Sequence, residues 1–159
     1  MIKMGVEIER KFLVDHKKWC EVEKPEGYYY RQGYLLNEGL RTIRVRVTDE
    51  QGYITLKGPT KGITRNEYEY KIPVEDGNEL LDGFAATEVE KIRYRIEVAN
   101  KLWEIDEFLG DNHGLIIAEI ELQREDEQFE LPGWVTVEVS DDARYYNSNL
   151  STHPFSGWK

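Results

Sequence analysis

The sequence has almost no cysteine: Cys20 is the only one among 159 residues. An internal disulfide is therefore excluded, and a zinc site built from thiolates is not expected. We expect this thiol to be buried or inert. No apolar run approaches the roughly 18 residues that a membrane-spanning helix needs. No apolar stretch behind basic residues suggests a signal peptide either, so we expect a cytoplasmic protein with no membrane attachment.

Basic residues are also scarce, with 21 Lys and Arg against 31 Asp and Glu and a formal net charge of −10. A general nucleic-acid-binding protein usually carries the opposite excess, so this class is not expected. An anionic substrate is not excluded, because basic residues can cluster locally and a bound divalent metal inverts the local sign. The length fits one domain, residues 1–159, with a sizeable core.

Segments rich in Tyr, Val, Ile and Thr predict a mainly β (α+β) fold with few short helices. The predicted strands are 5–14, 28–36, 41–48, 52–57, 66–74, 90–97, 102–108, 115–123 and 134–139. The predicted helices are 78–86, 124–129 and 141–150, the last capped by Ser140 or Asp141. The cluster at 58–62 predicts a turn. Eight or nine antiparallel strands favour closure into a barrel, which removes exposed edges.

Charged residues alternate with apolar ones in four of these strands, sorted by sign. The alternating sets are Glu7, Glu9 and Lys11; Arg44 and Arg46; Lys91, Arg93 and Arg95; and Glu119 and Glu121. Strand side chains point to opposite faces with a period of two, so each set lines one surface. The alternation alone leaves open whether this surface is an interior lumen or ordinary solvent-facing sheet.

The residue types favour a site for a metal-bound polyphosphate. Glu7 and Glu9 would lie about 7 Å apart along a strand, within reach of one Mg²⁺ or Mn²⁺. Lys11 on the same face would meet a phosphate oxygen as a point charge, and arginines bind phosphate in a bidentate manner. Glu67 and Glu69 fit two roles equally well: they are acids inside a lumen, or structural partners of Arg65 or Lys71.

The conjunction of motifs along the chain resembles the CYTH superfamily, also called the triphosphate tunnel metalloenzymes. The resembling segments are 7–14 (EIERKFLV), 31–35 (RQGYL), 43–46 (IRVR), 55–58 (TLKG), 65–70 (RNEYEY), 89–94 (VEKIRY), 103–108 (WEIDEF), 118–122 (AEIEL) and 139–147 (VSDDARYYN). They occur in the family's order and span nearly the whole chain. The resemblance implies an eight-stranded antiparallel closed barrel, a tunnel with a charged lumen and helices packed outside.

The resemblance also implies roles for individual residues. Glu7, Glu9 and Glu121 would bind a divalent metal, Mg²⁺ or Mn²⁺, with Asp106 and Glu119 close by for a first or second ion. The residues that would hold the triphosphate are Lys11, Arg44, Arg46, Lys57, Lys91, Arg93 and, from the C-terminal segment, Arg144. Lys91 would protonate the leaving oxygen or only bind it. Whether Tyr34 replaces a basic residue that other members use stays open.

Members of this family process different triphosphates. The short single-domain form most resembles the bacterial inorganic triphosphatases, so we favour hydrolysis of tripolyphosphate to pyrophosphate and phosphate. The alternatives are a class IV-type adenylate cyclase, a thiamine or nucleoside triphosphatase, and a sensor that binds polyphosphate or nucleotide without turnover. A homodimer is possible.

Overall fold

The computed structural model describes residues 5–158 and contains all nine predicted strands. They are β1 (Val6–Val14), β2 (Tyr28–Glu38), β3 (Arg41–Val47), β4 (Gly52–Lys61), β5 (Thr64–Ile72), β6 (Thr87–Val98), β7 (Lys101–Phe108), β8 (Ile116–Glu121) and β9 (Val135–Glu138). Three α-helices accompany them: α1 (His16–Cys20), α2 (Val74–Phe84) and α3 (Asn147–Leu150). None of the helices in this range is long and apolar enough to cross a membrane.

Eight strands close into an antiparallel barrel. Their order is β5-β4-β3-β2-β6-β7-β8-β1, and the pairing of β5 with the first residues of β1, Val6–Ile8, completes the ring. The ninth strand pairs with the end of β1, where Phe12 lies opposite Glu138. The predicted closed barrel is therefore confirmed, with β9 as an additional strand outside it.

The apolar faces of the strands point outward, which decides the orientation that alternation left open. One cluster surrounds the fully buried Trp103 and includes Trp19 of α1 and Trp134. Asp15 caps α1 by accepting a hydrogen bond from Lys18 N at 2.9 Å. Edge-on contacts among these indoles place the main core outside the barrel wall, and the charged faces are left to line its interior.

Helix α2 covers another part of the outer wall. Its Leu81 is 1% exposed and packs with Val45 and Val47, a burial that contributes about 1.5–3 kcal/mol. The helix approaches β2 so closely at Gly33 that a Cβ added there would lie 2.6 Å from Leu81 Cδ2. A third cluster, centred on Leu150 and Tyr145, joins the C-terminal segment to the barrel.

The helix and turn predictions were less accurate than the strand predictions. Most of the turn expected at 58–62 is part of β4, which continues to Lys61, so that only Gly62 of this segment lies in the turn. Gly58 and Pro59 lie in an irregularity of the strand pairing between Lys57 and Thr60. The helix expected at 78–86 starts at Val74 instead, directly after Pro73. The helix expected at 124–129 is absent.

The reasons for the helical errors lie in local contacts. In the 124–129 segment, the Glu127 side chain accepts the backbone N–H of Gln123 at 2.6 Å, and Phe129 packs against Trp103. The helix expected at 141–150 is interrupted at Tyr146, whose extended backbone separates a 3₁₀ turn from α3. The N-cap of the 3₁₀ turn is Asp142, not Ser140 or Asp141.

The thiol of Cys20, expected to be buried or inert, is exposed.

Candidate active site

The barrel encloses a cavity of about 520 Å³ whose wall is dense in charge. Seven carboxylates line it: Glu7, Glu9, Glu67, Glu69, Glu104, Glu119 and Glu121. Nine cationic side chains line it: Lys11, Arg44, Arg46, Lys57, Arg65, Lys71, Lys91, Arg93 and Arg95. Seven of these groups are buried: Glu7, Lys11, Arg44, Glu67, Lys91, Arg93 and Glu119. Burying charges is costly unless they are paired or bind a ligand, so the lumen has the character of a binding site.

Lys57 connects two carboxylates on one side of the lumen. Its Nζ donates to both oxygens of Glu7 at 3.1 and 3.2 Å and lies 3.3 Å from Glu67 Oε2. Glu67 is only 2% exposed, so its carboxylate belongs to the interior. This settles which of its two possible positions the residue takes: Glu67 faces the lumen and contacts Lys57.

Lys11 makes a second cluster with Glu9 and Glu119. Its Nζ donates to Glu9 Oε1 at 3.1 Å and to a carboxylate oxygen of Glu119. Burial acts against the charged ammonium, but the carboxylates of Glu119 and Glu9 outweigh it and raise the pKa of Lys11. Glu9 in turn lies opposite Glu121 across the β1–β8 pair.

Arg93, Lys91 and Asp106 form a third cluster in the wall. Arg93 donates to the two oxygens of Asp106 at 2.7 and 2.8 Å and to Glu119 at 3.1 Å, while Lys91 Nζ lies 2.9 Å from Asp106 Oδ2. Burial opposes the ionised carboxyl, yet Arg93 and Lys91 hold the pKa of Asp106 below its usual range. Burial, aided by Arg93 and opposed by Asp106, lowers the pKa of Lys91 to about 7.

Arginines gather around aromatic rings on another part of the wall. The guanidinium of Arg46 lies over Tyr30 at 4.9 Å and over Tyr53 at 5.4 Å, and Arg93 lies 5.3 Å from the Tyr30 ring. Burial and then the neighbouring Arg44 and Arg93 lower the pKa of Arg46. Such contacts offset part of the cost of placing like charges together.

Two guanidinium groups in this region retain unused donors. Within residues 5–158, the buried Nε–H groups of Arg44 and Arg46 have no hydrogen-bond partner. The carboxylate of Glu69 faces the other end of both groups, with its Oε1 3.9 Å from Arg44 Nη2 and 3.8 Å from Arg46 Nη2. Buried donors without acceptors are costly, and an anion in the cavity would satisfy them.

Most of the residues predicted from the sequence are brought together here. Glu7, Glu9, Glu119 and Glu121 line the cavity with six of the predicted triphosphate-binding residues: Lys11, Arg44, Arg46, Lys57, Lys91 and Arg93. Asp106 is not part of the lining, since it lies behind Arg93 with 1% exposure. Arg144 is also outside it: its side chain is 61% exposed and bonded to Asp142 at 2.7 Å.

Other lining residues were not assigned from the sequence. Arg65, Lys71 and Glu104 continue the alternation of β5 and β7 into the lumen, so the pattern itself could have identified them. Arg95 continues the alternation of β6 into the lining, where its Nη2 donates to Tyr30 OH at 2.7 Å. Asn147, which accepts from Lys91 Nζ at 2.9 Å, has no periodic signal because it comes from the C-terminal segment.

The acidic side chains fit a hard divalent cation in chemistry but not in their present arrangement. No three Asp, Glu, His or Cys residues in the part of the chain that the structure describes are gathered closely enough to hold a metal. The four predicted ligands that line the cavity, Glu7, Glu9, Glu119 and Glu121, are nevertheless carboxylates, the donor type that Mg²⁺ and Mn²⁺ prefer. Lys11 and Lys57 engage three of these groups, Glu7, Glu9 and Glu119. A metal must therefore displace those lysines.

A charged tunnel inside a closed eight-stranded barrel defines the class of protein, and comparison with known sequences agrees with it. A model of the CYTH domain matches residues 5–150. The chain is 46% identical over 157 residues to an inorganic triphosphatase of Acetivibrio thermocellus, covering 98% of this chain and 99% of the relative. It is 35% identical over 153 residues to an inorganic triphosphatase of Nitrosomonas europaea, covering 91% and 96%.

A solved structure shares the architecture. The crystal structure of an inorganic triphosphatase superposes with a TM-score of 0.63 at 33% identity, covering 91% of this chain and 97% of that chain. The protein therefore belongs to the CYTH domain family, as its sequence motifs predicted.

Proposed function

We propose that the protein hydrolyses inorganic tripolyphosphate to pyrophosphate and phosphate with the help of a divalent metal, Mg²⁺ or Mn²⁺. The observation that carries the proposal is the convergence of nine cationic side chains on one enclosed cavity of an otherwise acidic protein. The unused Nε–H donors of Arg44 and Arg46 favour an anionic ligand there. The inorganic triphosphatases named among its relatives support the choice of substrate.

The carboxylates and the cations of the lumen take different parts in this proposed reaction. Glu7, Glu9, Glu119 and Glu121 would hold the metal, which would supply a polarised water as the nucleophile when bound. The residues that bind the phosphate oxygens and neutralise the charge that builds on the leaving group are Lys11, Arg44, Arg46, Lys57, Lys91 and Arg93. Positioning and electrostatics therefore supply most of the acceleration. Arg144 would join them only if the C-terminal segment turned its side chain inward.

We assign to Lys91 the transfer of a proton to the leaving oxygen. Its ammonium lines the cavity, and its pKa of about 7 is close to that of an efficient acid at neutral pH. Asn147 and Asp106 hold it in position at 2.9 Å each. Lys91→Arg keeps the positive charge but cannot release a proton at neutral pH. We expect that variant to lose at least tenfold in kcat while its KM changes little.

Phosphate release from tripolyphosphate, ATP and thiamine triphosphate, with Mg²⁺ or Mn²⁺ and with a chelator, tests the proposal. We expect fast metal-dependent release from tripolyphosphate above all. Glu9→Gln should abolish it, whereas Glu97→Gln, an exposed change on β6 outside the lining, should not. Cyclic AMP formed from ATP would replace the proposal with a cyclase, and tight binding without any product would replace it with a sensor.

A further inference from the structure

Asp106 is enclosed by cations on β6. Its side chain is 1% exposed, and both of its oxygens are engaged: Oδ1 by Arg93 Nε at 2.7 Å, and Oδ2 by Arg93 Nη2 at 2.8 Å and Lys91 Nζ at 2.9 Å. A carboxylate has about four lone-pair positions, so three of them are already occupied. Asp106 is also absent from the cavity lining, in contrast to the four carboxylates proposed to hold metal.

The two cations that Asp106 contacts both face the cavity on their other side. Arg93 reaches Glu119 at 3.1 Å and Glu104 at 3.3 Å, and Lys91 reaches Asn147 at 2.9 Å. A bidentate carboxylate fixes the plane of a guanidinium, and so fixes the direction in which its remaining N–H groups point. Asp106 thereby determines how Arg93 and Lys91 present themselves to an anion.

We propose that Asp106 is a positioning residue that orients Arg93 and Lys91 for the triphosphate, and that it is not a metal ligand. The inference rests on the proposed function, because it takes the two cations to be phosphate-binding. It assigns the residue a role different from the one that the family resemblance implies. Binding a metal at Asp106 would require breaking the buried contacts with Arg93 and Lys91, leaving two cations without their shared partner.

The test compares Asp106→Asn with Glu9→Gln, a change at a proposed ligand that lines the cavity. The first readout is the Mn²⁺ dissociation constant by calorimetry, without any triphosphate. The second is the dissociation constant of tripolyphosphate under chelation, and the third is kcat and KM with Mn²⁺. We expect Asp106→Asn to change Mn²⁺ affinity less than about twofold but to weaken tripolyphosphate binding and raise KM at least tenfold. Glu9→Gln should weaken Mn²⁺ binding at least tenfold.

A double variant guards against misfolding of Asp106→Asn. The double variant Arg93→Gln, Asp106→Asn removes both charges of the Arg93–Asp106 pair together, so neither charge is left buried alone, and the two amides can still form a hydrogen bond between β6 and β7. Once Arg93 is replaced, Asp106 can act only through Lys91, so adding Asp106→Asn to Arg93→Gln should weaken tripolyphosphate binding by a smaller factor than Asp106→Asn does in the wild type. An equally large loss in both backgrounds would contradict the proposal that Asp106 acts through Arg93.

Two other outcomes overturn it. Loss of Mn²⁺ affinity in Asp106→Asn comparable to that in Glu9→Gln would make Asp106 a ligand. Unchanged tripolyphosphate affinity and KM in a folded but less stable Asp106→Asn would make the residue merely structural. Failure of the proposed function is seen separately, in the wild-type protein: binding without hydrolysis would refute the triphosphatase and leave the binding comparison intact. A wild-type protein that binds no tripolyphosphate would overturn both.

Discussion

Metal and triphosphate should bind to this tunnel cooperatively. The metal would separate carboxylates from the lysines that bind phosphate, and the triphosphate would separate those lysines from the carboxylates that bind metal. Lys11 is bound to Glu9 and Glu119, and Lys57 is bound to Glu7 and Glu67. A metal arriving alone takes carboxylates from the lysines and leaves buried cations unpaired. A triphosphate arriving alone takes the lysines from the carboxylates and leaves buried anions unpaired.

The size of the effect follows from the burial of these pairs. Lys11 and Lys57 side chains are 11% and 13% exposed, so losing their partners approaches the cost of breaking a buried ion pair. That cost is about 3–5 kcal/mol, and every 1.4 kcal/mol is tenfold in affinity. The lower figure corresponds to a coupling of about 100-fold. By linkage, each ligand should increase the affinity for the other by the same factor.

Calorimetry with a non-hydrolysable imido analogue of tripolyphosphate measures this coupling. Its dissociation constant is compared under chelation and at saturating Mn²⁺. We expect Lys11→Met, which frees Glu9 and leaves Glu119 with Arg93 as its remaining cationic partner, to bind Mn²⁺ alone at least tenfold more tightly than wild type. Lys17→Met, an exposed change on α1, serves as the control. Equal analogue affinity with and without metal, or weaker Mn²⁺ binding by Lys11→Met, would refute the reasoning.

Two predictions concern stability, both measured by thermal or urea unfolding. Gly33→Ala should lower the free energy of unfolding by about 1–3 kcal/mol, because its Cβ would meet Leu81 at 2.6 Å. The control Gly83→Ala, exposed on α2 with nothing within 4 Å of the new Cβ, should raise it by up to about 1 kcal/mol. Equal effects of the two changes would contradict the close approach of α2 to β2. Arg10 donates to Glu138 at 2.6 and 2.8 Å and lowers its pKa. At pH values above the ordinary pKa of Glu, this pair should therefore contribute about 0.5 kcal/mol to the free energy of unfolding after solvent screening, and the contribution should disappear as the pH falls. If Glu138→Gln is still less stable than the wild type at pH 3, the pair is not the cause.

The sequence predicted the barrel because strand alternation is a local property, and all nine strands are present. It could not decide which face was inside. That choice depends on distant partners such as Trp19, Trp103 and Trp134, whose packing outside the wall turns Glu9 and its neighbours inward. The family resemblance supplied this long-range information, and the structure confirms it.

Site residues were predictable where they continue a strand pattern and not where a partner decides their orientation. Lys11 and Arg44 follow from alternation. Asp106 shares that pattern, yet Arg93 and Lys91 enclose it behind the cavity wall. Asn147 comes from a segment that was expected to be one continuous helix, so its contact with Lys91 was not foreseen. A cytoplasmic location and a homodimer stay predictions.

The most direct test of the central claim is a ³¹P NMR time course of tripolyphosphate with the purified protein and Mg²⁺ or Mn²⁺. We expect phosphate and pyrophosphate to appear in equal amounts, chelation to stop their appearance, and Glu9→Gln to form neither. A tripolyphosphate spectrum that stays unchanged under both metals would contradict the assignment of this tunnel as a triphosphatase site.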